Sequence, residues 1–144
     1  MKKRILVFPC GSEIGLEIYR SMRYSTHFDL IGGSSTLDHG RFVYDKYVAD
    51  LPFHDQSNFA NRITETVHDY QIDAIYPTMD AVAETLQHLV GRIGCRVIGS
   101  DSCATAICAS KSITYATLAG HVPVPACYAT LDQIPCFPIF MKPD

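Results

Sequence analysis

The chain has 144 residues, of which 47% are apolar and 19% are charged, and its formal net charge is −3. This composition is typical of a globular domain with a sizeable core, and it excludes a disordered chain. The negative charge disfavours nucleic-acid binding, and no apolar run is long enough to cross a bilayer. We expect a cytoplasmic protein, because the basic Lys2–Arg4 segment precedes too few apolar residues for a signal peptide.

The six cysteines do not indicate a metal site or a disulfide framework. No two of them have Cys-x-x-Cys spacing, and no two histidines have His-x-x-x-His spacing. Most of the cysteines stand among apolar residues, where a free cysteine behaves as a small hydrophobe. Cys10 is the exception, because it lies in a turn of the kind where ligands often bind. We predict no catalytic residue and no metal ligand in this sequence.

The N-terminal part of the chain predicts a strand–helix–strand unit. Arg4–Phe8 is an apolar run typical of a buried parallel strand, and Phe28–Gly33 forms a second short strand. A helix beginning at Glu13 separates them and directs Ile14, with the residues four and eight positions further on, toward the core. Residues 34–46 are polar and irregular, and this loop is long enough to be functional.

Strands and helices continue to alternate along the rest of the chain. The further predicted strands are 47–51, 72–76 and 96–99, and the further predicted helices are 57–70, one capped by Asp80, one capped by Ser100 and Asp101, and 111–119. Tyr70 and Val90 are expected to face the core with the other apolar residues of their helices. This alternation predicts an α/β fold with a Rossmann-like, doubly wound and mainly parallel sheet.

The loop after the first strand is the first candidate site, because ligands of such sheets bind at the carboxyl ends of the strands. Gly11–Gly15 places a glycine turn at a helix N-terminus, which suits an anion. The turn lacks Gly-x-Gly-x-x-Gly spacing and no acidic residue ends the second strand, which disfavours a nicotinamide-dependent oxidoreductase. Two interpretations stay open: a turn that faces substrate, or glycines that allow a tight turn and close helix packing.

Two further candidates follow later strands. Thr78 and Asp80 come directly after the third core strand and could hydrogen-bond a polar substrate, although Asp80 serves equally well as a helix cap. Lys142 follows the apolar residues Ile139 to Met141 on a predicted strand near the chain end. An ammonium in that position either points to solvent or meets an anion.

Three segments of the chain share the pattern of one known family. Ile72–Asp80 is similar to that family's Asp-x-Ile-x-Pro-x-x-Asp/Glu strand end, and it follows an apolar strand with a glycine turn. Ser110-Lys111 and then Leu118–Pro125 are similar to Asp-Lys followed by Leu-x-x-x-Gly-Ile-Pro-Val-Pro, with serine in place of the usual aspartate. Phe137–Pro143 is similar to Tyr-Pro-Val-Ile-Val-Lys-Pro. In this order the segments resemble the ATP-grasp enzymes, in particular short proteins similar to the large chain of carbamoyl-phosphate synthase.

The resemblance implies a division of the chain and a set of binding residues. Residues 1–109 would form the pre-ATP-grasp domain, and residues 110–144 a linker helix with the first strands of a truncated ATP-grasp domain. Lys111 and Lys142 resemble the two lysines that contact ATP phosphates, a role that suits a compact ammonium. The resemblance also implies an acceptor-substrate pocket. Its residues are Gly11, Ser12, Glu13, Thr78 and Asp80.

The function implied by the resemblance is ATP-dependent ligation of a carboxylate to an amine, or a similar reaction, through an acyl-phosphate intermediate. The family's glycine-rich phosphate loop and its Mg²⁺-binding carboxylates are not among the 144 residues. We therefore expect an inactive N-terminal fragment of a protein that uses ATP and Mg²⁺, with no tight binding of either by the fragment. Its expected partners are a small-molecule carboxylate and a second copy in a homodimer, without nucleic acid or membrane. The alternative is a free-standing Rossmann-like module that binds a small anion or a protein without catalysis.

Overall fold

The computed structural model describes residues 1–141 and contains a five-stranded sheet in which every neighbouring pair of strands is parallel. The strands are β1 (Lys3–Phe8), β2 (Phe28–Gly33), β3 (Tyr47–Val48), β4 (Ala74–Pro77) and β5 (Arg96–Val97). Their order across the sheet is β3-β2-β1-β4-β5. The strand order therefore reverses between β1 and β4, as in doubly wound nucleotide-binding folds. The predicted Rossmann-like α/β fold is confirmed.

Five α-helices connect or follow these strands. They are α1 (Glu13–Met22), α2 (Phe59–Tyr70), α3 (Asp80–Leu89), α4 (Ser102–Ala109) and α5 (Lys111–Leu118), with short 3₁₀ helices at His39–Phe42 and Leu131–Gln133. Helix α4 packs against α3, and α5 packs against α4. Within residues 1–141, none of the helices has the length and apolarity that a membrane span requires.

The side-chain alternation of β1 builds a core on each face of the sheet. Leu6 and Phe8 pack on one side with residues of α2 and α3, while Ile5 and Val7 pack on the other with Ile18 of α1. All four strand residues are at most 5% exposed. Successive residues of a strand point to opposite faces, so one apolar run serves both layers. Three layers result, with the sheet in the middle.

Three residues expected in the core lie at the surface instead. Ile14 is 54% exposed, Tyr70 39% and Val90 43%. The buried residues of α1 are Ile18 and Gly15, and Gly15 packs against the Cys10 backbone; Ile14 lies about 100° around the helix from Gly15 and faces outward. Tyr70 is the last residue of α2, and Val90 follows the last residue of α3, so both project past the packed part of their helices.

Several predicted element boundaries also differ from the structure. The strand expected at 47–51 has only two residues, because its pairing with β2 is limited to Gly32 and Gly33. The helix expected from 57 begins at Phe59. Residues 137–141 are exposed and form no strand, since no strand of the described chain pairs with them. Lys142 lies outside the described residues.

Candidate functional site

The candidate site lies where β1 and β4 end side by side. Val7 pairs with Tyr76 and Phe8 with Pro77 in parallel register, so both strands stop at the same edge of the sheet. Beyond that edge β1 leads into α1 and β4 leads into α3. Ligands of doubly wound sheets bind in the crevice at such a reversal of strand order. This crevice is the part of the fold to examine for binding groups.

The β1–α1 turn is closely packed at two of its glycines. A Cβ atom added to Gly15 would lie 2.5 Å from the carbonyl oxygen of Cys10. A Cβ atom added to Gly11 would lie 2.2 Å from Cγ of Asp38. Both glycines therefore allow close approach, which supports the packing interpretation of this turn. The structure leaves substrate contact by Gly11 a prediction.

Ser12 and Thr78 join the ends of β1 and β4 through a chain of hydrogen bonds. The Gly15 amide donates to Ser12 Oγ at 3.0 Å, which caps α1. The Ser12 hydroxyl donates to Thr78 Oγ1 at 2.8 Å, and the Thr78 hydroxyl donates to the Pro9 carbonyl at 2.6 Å. Thr78 is only 4% exposed. These two predicted residues are thus in direct contact, and each hydroxyl already donates a hydrogen bond within the protein.

Glu13 and Asp80 lie at the starts of the two helices that border the crevice. Each is exposed and is the first residue of its helix, where a carboxylate is favoured by the helix dipole. Asp80 was expected as a cap, and that assignment is wrong, because the N-cap of α3 is Met79 and makes no side-chain capping bond. Both carboxylates are therefore available to a ligand at this edge of the sheet.

A buried cluster behind the turn was not predicted from the sequence. Cys10 Sγ lies 3.7 Å from the hydroxyl of Ser34, which donates to a carboxylate oxygen of Asp38. Cys10 and Ser34 are fully buried, and burial raises the pKa of the Cys10 thiol to about 11. The thiol is thus protonated at neutral pH and is unsuited to nucleophilic attack. The available signal was the position of Asp38, in the loop that follows the end of β2.

Tyr44 ties the same loop to α1. Its hydroxyl donates to the carbonyl oxygen of Gly15 at 2.5 Å, and its ring packs on Tyr19 with centroids 4.8 Å apart. Burial raises the pKa of Tyr44. Tyr44 therefore holds the loop that carries Asp38 against helix α1.

Lys111 is the first residue of α5 and is exposed, and the Ser110 side chain caps this helix by accepting from the Ile113 amide at 3.2 Å. Lys111 follows α4 and not a strand of the sheet. Its place in the chain therefore does not put it in a loop at the carboxyl end of β1 or β4.

A separate cavity of about 260 Å³ opens after β3, and its polar lining includes Ser35, Asp50, Gln56 and Arg62. None of the predicted site residues lines it. Residues 1–141 contain no group of three or more His, Cys, Asp or Glu side chains that could hold a metal ion.

Sequence comparison does not identify the chain: no protein-family model matches it, and no curated protein is significantly similar to it. Solved structures do share its fold. The biotin carboxylase domain of a single-chain bacterial carboxylase superimposes with a TM-score of 0.65 and 16% sequence identity over 92% of this chain. Glycinamide-RNase-transformylase T from Mycobacterium tuberculosis gives 0.62 and 12% over 83%, and a complete multifunctional pyruvate carboxylase from Rhizobium etli gives 0.60 and 17% over 88%.

These matches concern only part of the larger proteins. The chain spans 32% of the biotin carboxylase domain, 35% of the transformylase and 13% of the pyruvate carboxylase. Identities this low establish similarity of fold and leave the activity of the chain open. The fold that the chain shares with these three structures is the Rossmann-like α/β fold described above.

Proposed function

We propose that this chain is the N-terminal, substrate-side part of an ATP-dependent ligase that joins a carboxylate to an amine. The three similar structures are ATP-grasp enzymes, the class that the sequence motifs resemble. The observation that carries the proposal is the Ser12–Thr78 hydrogen bond at the reversal of strand order. The predicted substrate-binding segments 11–13 and 78–80 follow the neighbouring strands β1 and β4. The hydrogen bond joins these two segments at the carboxyl ends of the strands.

The proposed reaction has two steps. The terminal phosphoryl group of ATP is transferred to a carboxylate oxygen of the substrate, giving ADP and an acyl phosphate. The amine nitrogen then attacks the acyl carbon, phosphate leaves, and the nitrogen loses a proton. Such transfers depend on positioning the reactants and on neutralising the charge of the phosphates. Mg²⁺ would supply the charge neutralisation when it is bound.

The residues of this chain take two roles in the proposal. The crevice residues Gly11, Ser12, Glu13, Thr78 and Asp80 bind the acceptor substrate. Lys111 and Lys142 bind ATP phosphates as point charges. The described residues offer no metal site, so the proposal assigns Mg²⁺ and the remaining ATP contacts to further sequence of a longer protein.

The test uses the full reading frame that contains these 144 residues. ADP release should require both an acid and an amine, whereas residues 1–144 alone should show no turnover. Replacing Lys111 by Ala should lower kcat/KM for ATP roughly tenfold to a hundredfold, the loss expected for one charge-assisted contact. Lys2→Ala is the matched control, because Lys2 is exposed and, among residues 1–141, donates only to the Ser25 carbonyl. Turnover by residues 1–144 alone would contradict the proposal.

The alternative is a free-standing module that binds a small anion or a protein without catalysis. A reading frame that stops after residue 144 would favour it, while continuation into a glycine-rich segment and acidic metal ligands would favour the ligase. The ligase proposal further includes a cytoplasmic location and a homodimer. Sedimentation of the full-length protein would test the homodimer, and fractionation of cells would test the location.

A further inference from the structure

The inference concerns Asp38, whose carboxylate lies directly against the glycine turn of the crevice. A Cβ atom added to Gly11 would be 2.3 Å and 2.5 Å from its two oxygens. Glycine turns at helix N-termini are ready-made anion sites, because free amides and the helix dipole face the ligand. In this protein a carboxylate of the chain itself stands beside that turn.

The Asp38 carboxylate is held by bonds to both of its oxygens. One oxygen accepts from the Gly40 amide at 2.8 Å, and the other accepts from the hydroxyl of buried Ser34. The backbone also fits closely here, since a Cβ atom added to Gly40 would lie 3.0 Å from the Gly11 amide nitrogen. The position of the carboxylate is therefore set by the loop after β2 and does not depend on a freely rotating side chain.

The negative charge of Asp38 is not balanced by a direct ion pair. Within residues 1–141 no lysine, arginine or histidine nitrogen forms a salt bridge with it. The other carboxylates of the crevice, Glu13 and Asp80, are exposed on the adjoining helix starts. The nearest basic residues along the chain are His39 and Arg41, and both are exposed. An incoming phosphate would meet a fixed negative charge at the turn and acidic groups around it.

We propose that Asp38 is a specificity-determining residue, which excludes anionic groups from the β1–α1 turn and selects a neutral or positively charged part of the substrate there. The assignment of this turn to a substrate rests on the proposed function. The amine that attacks the acyl phosphate, or an uncharged part of the acceptor substrate, fits the selection, whereas the carboxylate of the acceptor and the phosphates of ATP would have to bind away from the turn. The same charge argues against a small-anion module that uses this turn.

The test is an NMR titration of residues 1–144 with inorganic phosphate, following the amide signals of Gly11, Ser12 and Gly15. Wild-type protein should show no localised, saturable change. Asp38→Asn keeps the size of the side chain and removes its charge, and it should bind phosphate at least about tenfold more tightly at these amides. Asp55→Asn is the control, since it removes the same charge from an exposed position in the loop before α2 and should behave as wild type.

Two results would overturn the proposal: phosphate binding to the turn of the wild-type protein as tightly as to Asp38→Asn, or no gain of binding by a folded Asp38→Asn variant. Asp38 is the N-cap of the 3₁₀ helix His39–Phe42. If Asp38→Asn does not fold, Asp38→Ser replaces it, because serine can cap a helix and carries no charge. Failure of the proposed function is a separate outcome. It would appear as a full-length protein without acid- and amine-dependent ADP release, while the phosphate titration still reported on Asp38.

Discussion

Two regions of the chain, residues 3–93 and residues 102–141, differ in how far their apolar side chains are buried. The first region contains both hydrophobic clusters, and residues such as Leu6, Ile63 and Leu86 are fully buried. The second region contains α4 and α5 but not one buried residue among those described. It is not short of apolar residues, since Leu131 and Phe140 are 75% and 84% exposed.

The difference teaches that apolar sequence makes a core only where a second layer faces it. In the first region the sheet offers an apolar face on each side, and helices cover both. In the second region α5 packs on α4, and α4 packs on α3. The stability of residues 1–141 should therefore reside in the first region.

The largest loss of stability is expected when a core side chain of the first region is shortened. Leu6→Ala should lower the free energy of unfolding by about 2–5 kcal/mol, because the fully buried side chain leaves a cavity between β1 and the helices. Leu118→Ala in α5 should change it by less than about 0.5 kcal/mol, since Leu118 is 40% exposed. Urea denaturation measures both. Equal losses for the two variants would remove the distinction between the regions.

A second substitution tests the close packing of the β1–α1 turn. Gly15→Ala should gain about 1 kcal/mol from helix propensity but lose more, because its Cβ would meet the Cys10 carbonyl oxygen at 2.5 Å. We expect a net loss of about 1–3 kcal/mol. Gly91→Ala, with nothing within 4 Å of the added atom, is the matched control and should be nearly neutral. Stabilisation by Gly15→Ala would show that the turn can move aside.

The cysteines allow the two regions to be compared by chemistry. Burial raises the pKa of Cys10 from 9.0 to about 11, which lowers its thiolate fraction about a hundredfold. The second region holds four exposed cysteines, Cys103, Cys108, Cys127 and Cys136. Alkylation of the native protein, followed by mass spectrometry, should modify these four first and Cys10 only as the protein unfolds. Early modification of Cys10 would contradict its burial.

The smallest effect is expected at the opposite edge of the sheet. The Lys3 ammonium donates to Asp73 at 2.6 Å and the Arg4 amide donates at 2.9 Å, and these bonds lower the pKa of the Asp73 carboxyl. A lowered pKa stabilises the fold above the ordinary value of 3.8, and this contribution disappears as the pH falls through the lower, folded value.

Asp73→Asn should therefore lower the urea midpoint slightly at neutral pH, by an amount that shrinks in strong acid. The comparison with wild type is made at several pH values in the same buffer. A difference that stayed constant from neutral pH to well below 3.8 would show that the charge of Asp73 has no part in it.

Much of the fold could be predicted because apolar runs and glycine turns act locally. The run from Arg4 to Phe8 is typical of a buried strand, and five of the six predicted strands are present, the exception being the one expected near the chain end. The errors lie where neighbours decide. Ile14 has the spacing of a core residue, yet it is exposed, and its neighbour Gly15 packs against the Cys10 carbonyl. Periodicity cannot reveal which residue of a helix approaches a backbone carbonyl.

The candidate site divides in the same way. That Ser12 and Thr78 follow neighbouring strand ends could be inferred from the α/β pattern, and the structure brings them together. The contact of Asp38 with Gly11 could not be inferred, since 27 positions separate them and a loop of irregular conformation sets it. Loops that follow different parallel strands come into contact because the strands are neighbours in the sheet. No periodic pattern in the sequence indicates which loops will touch.

The hydrogen-bond chain from Gly15 through Ser12 and Thr78 to Pro9 has a consequence for how any ligand gains affinity in the crevice. A ligand that accepts a hydrogen bond from either hydroxyl must displace the acceptor that the hydroxyl already has, so one hydrogen bond is exchanged for another with little net gain. Tight binding would then have to come from shape and from the exposed carboxylates. Chemical variants of a substrate that differ only by a hydrogen-bond acceptor near Ser12 should bind almost equally well.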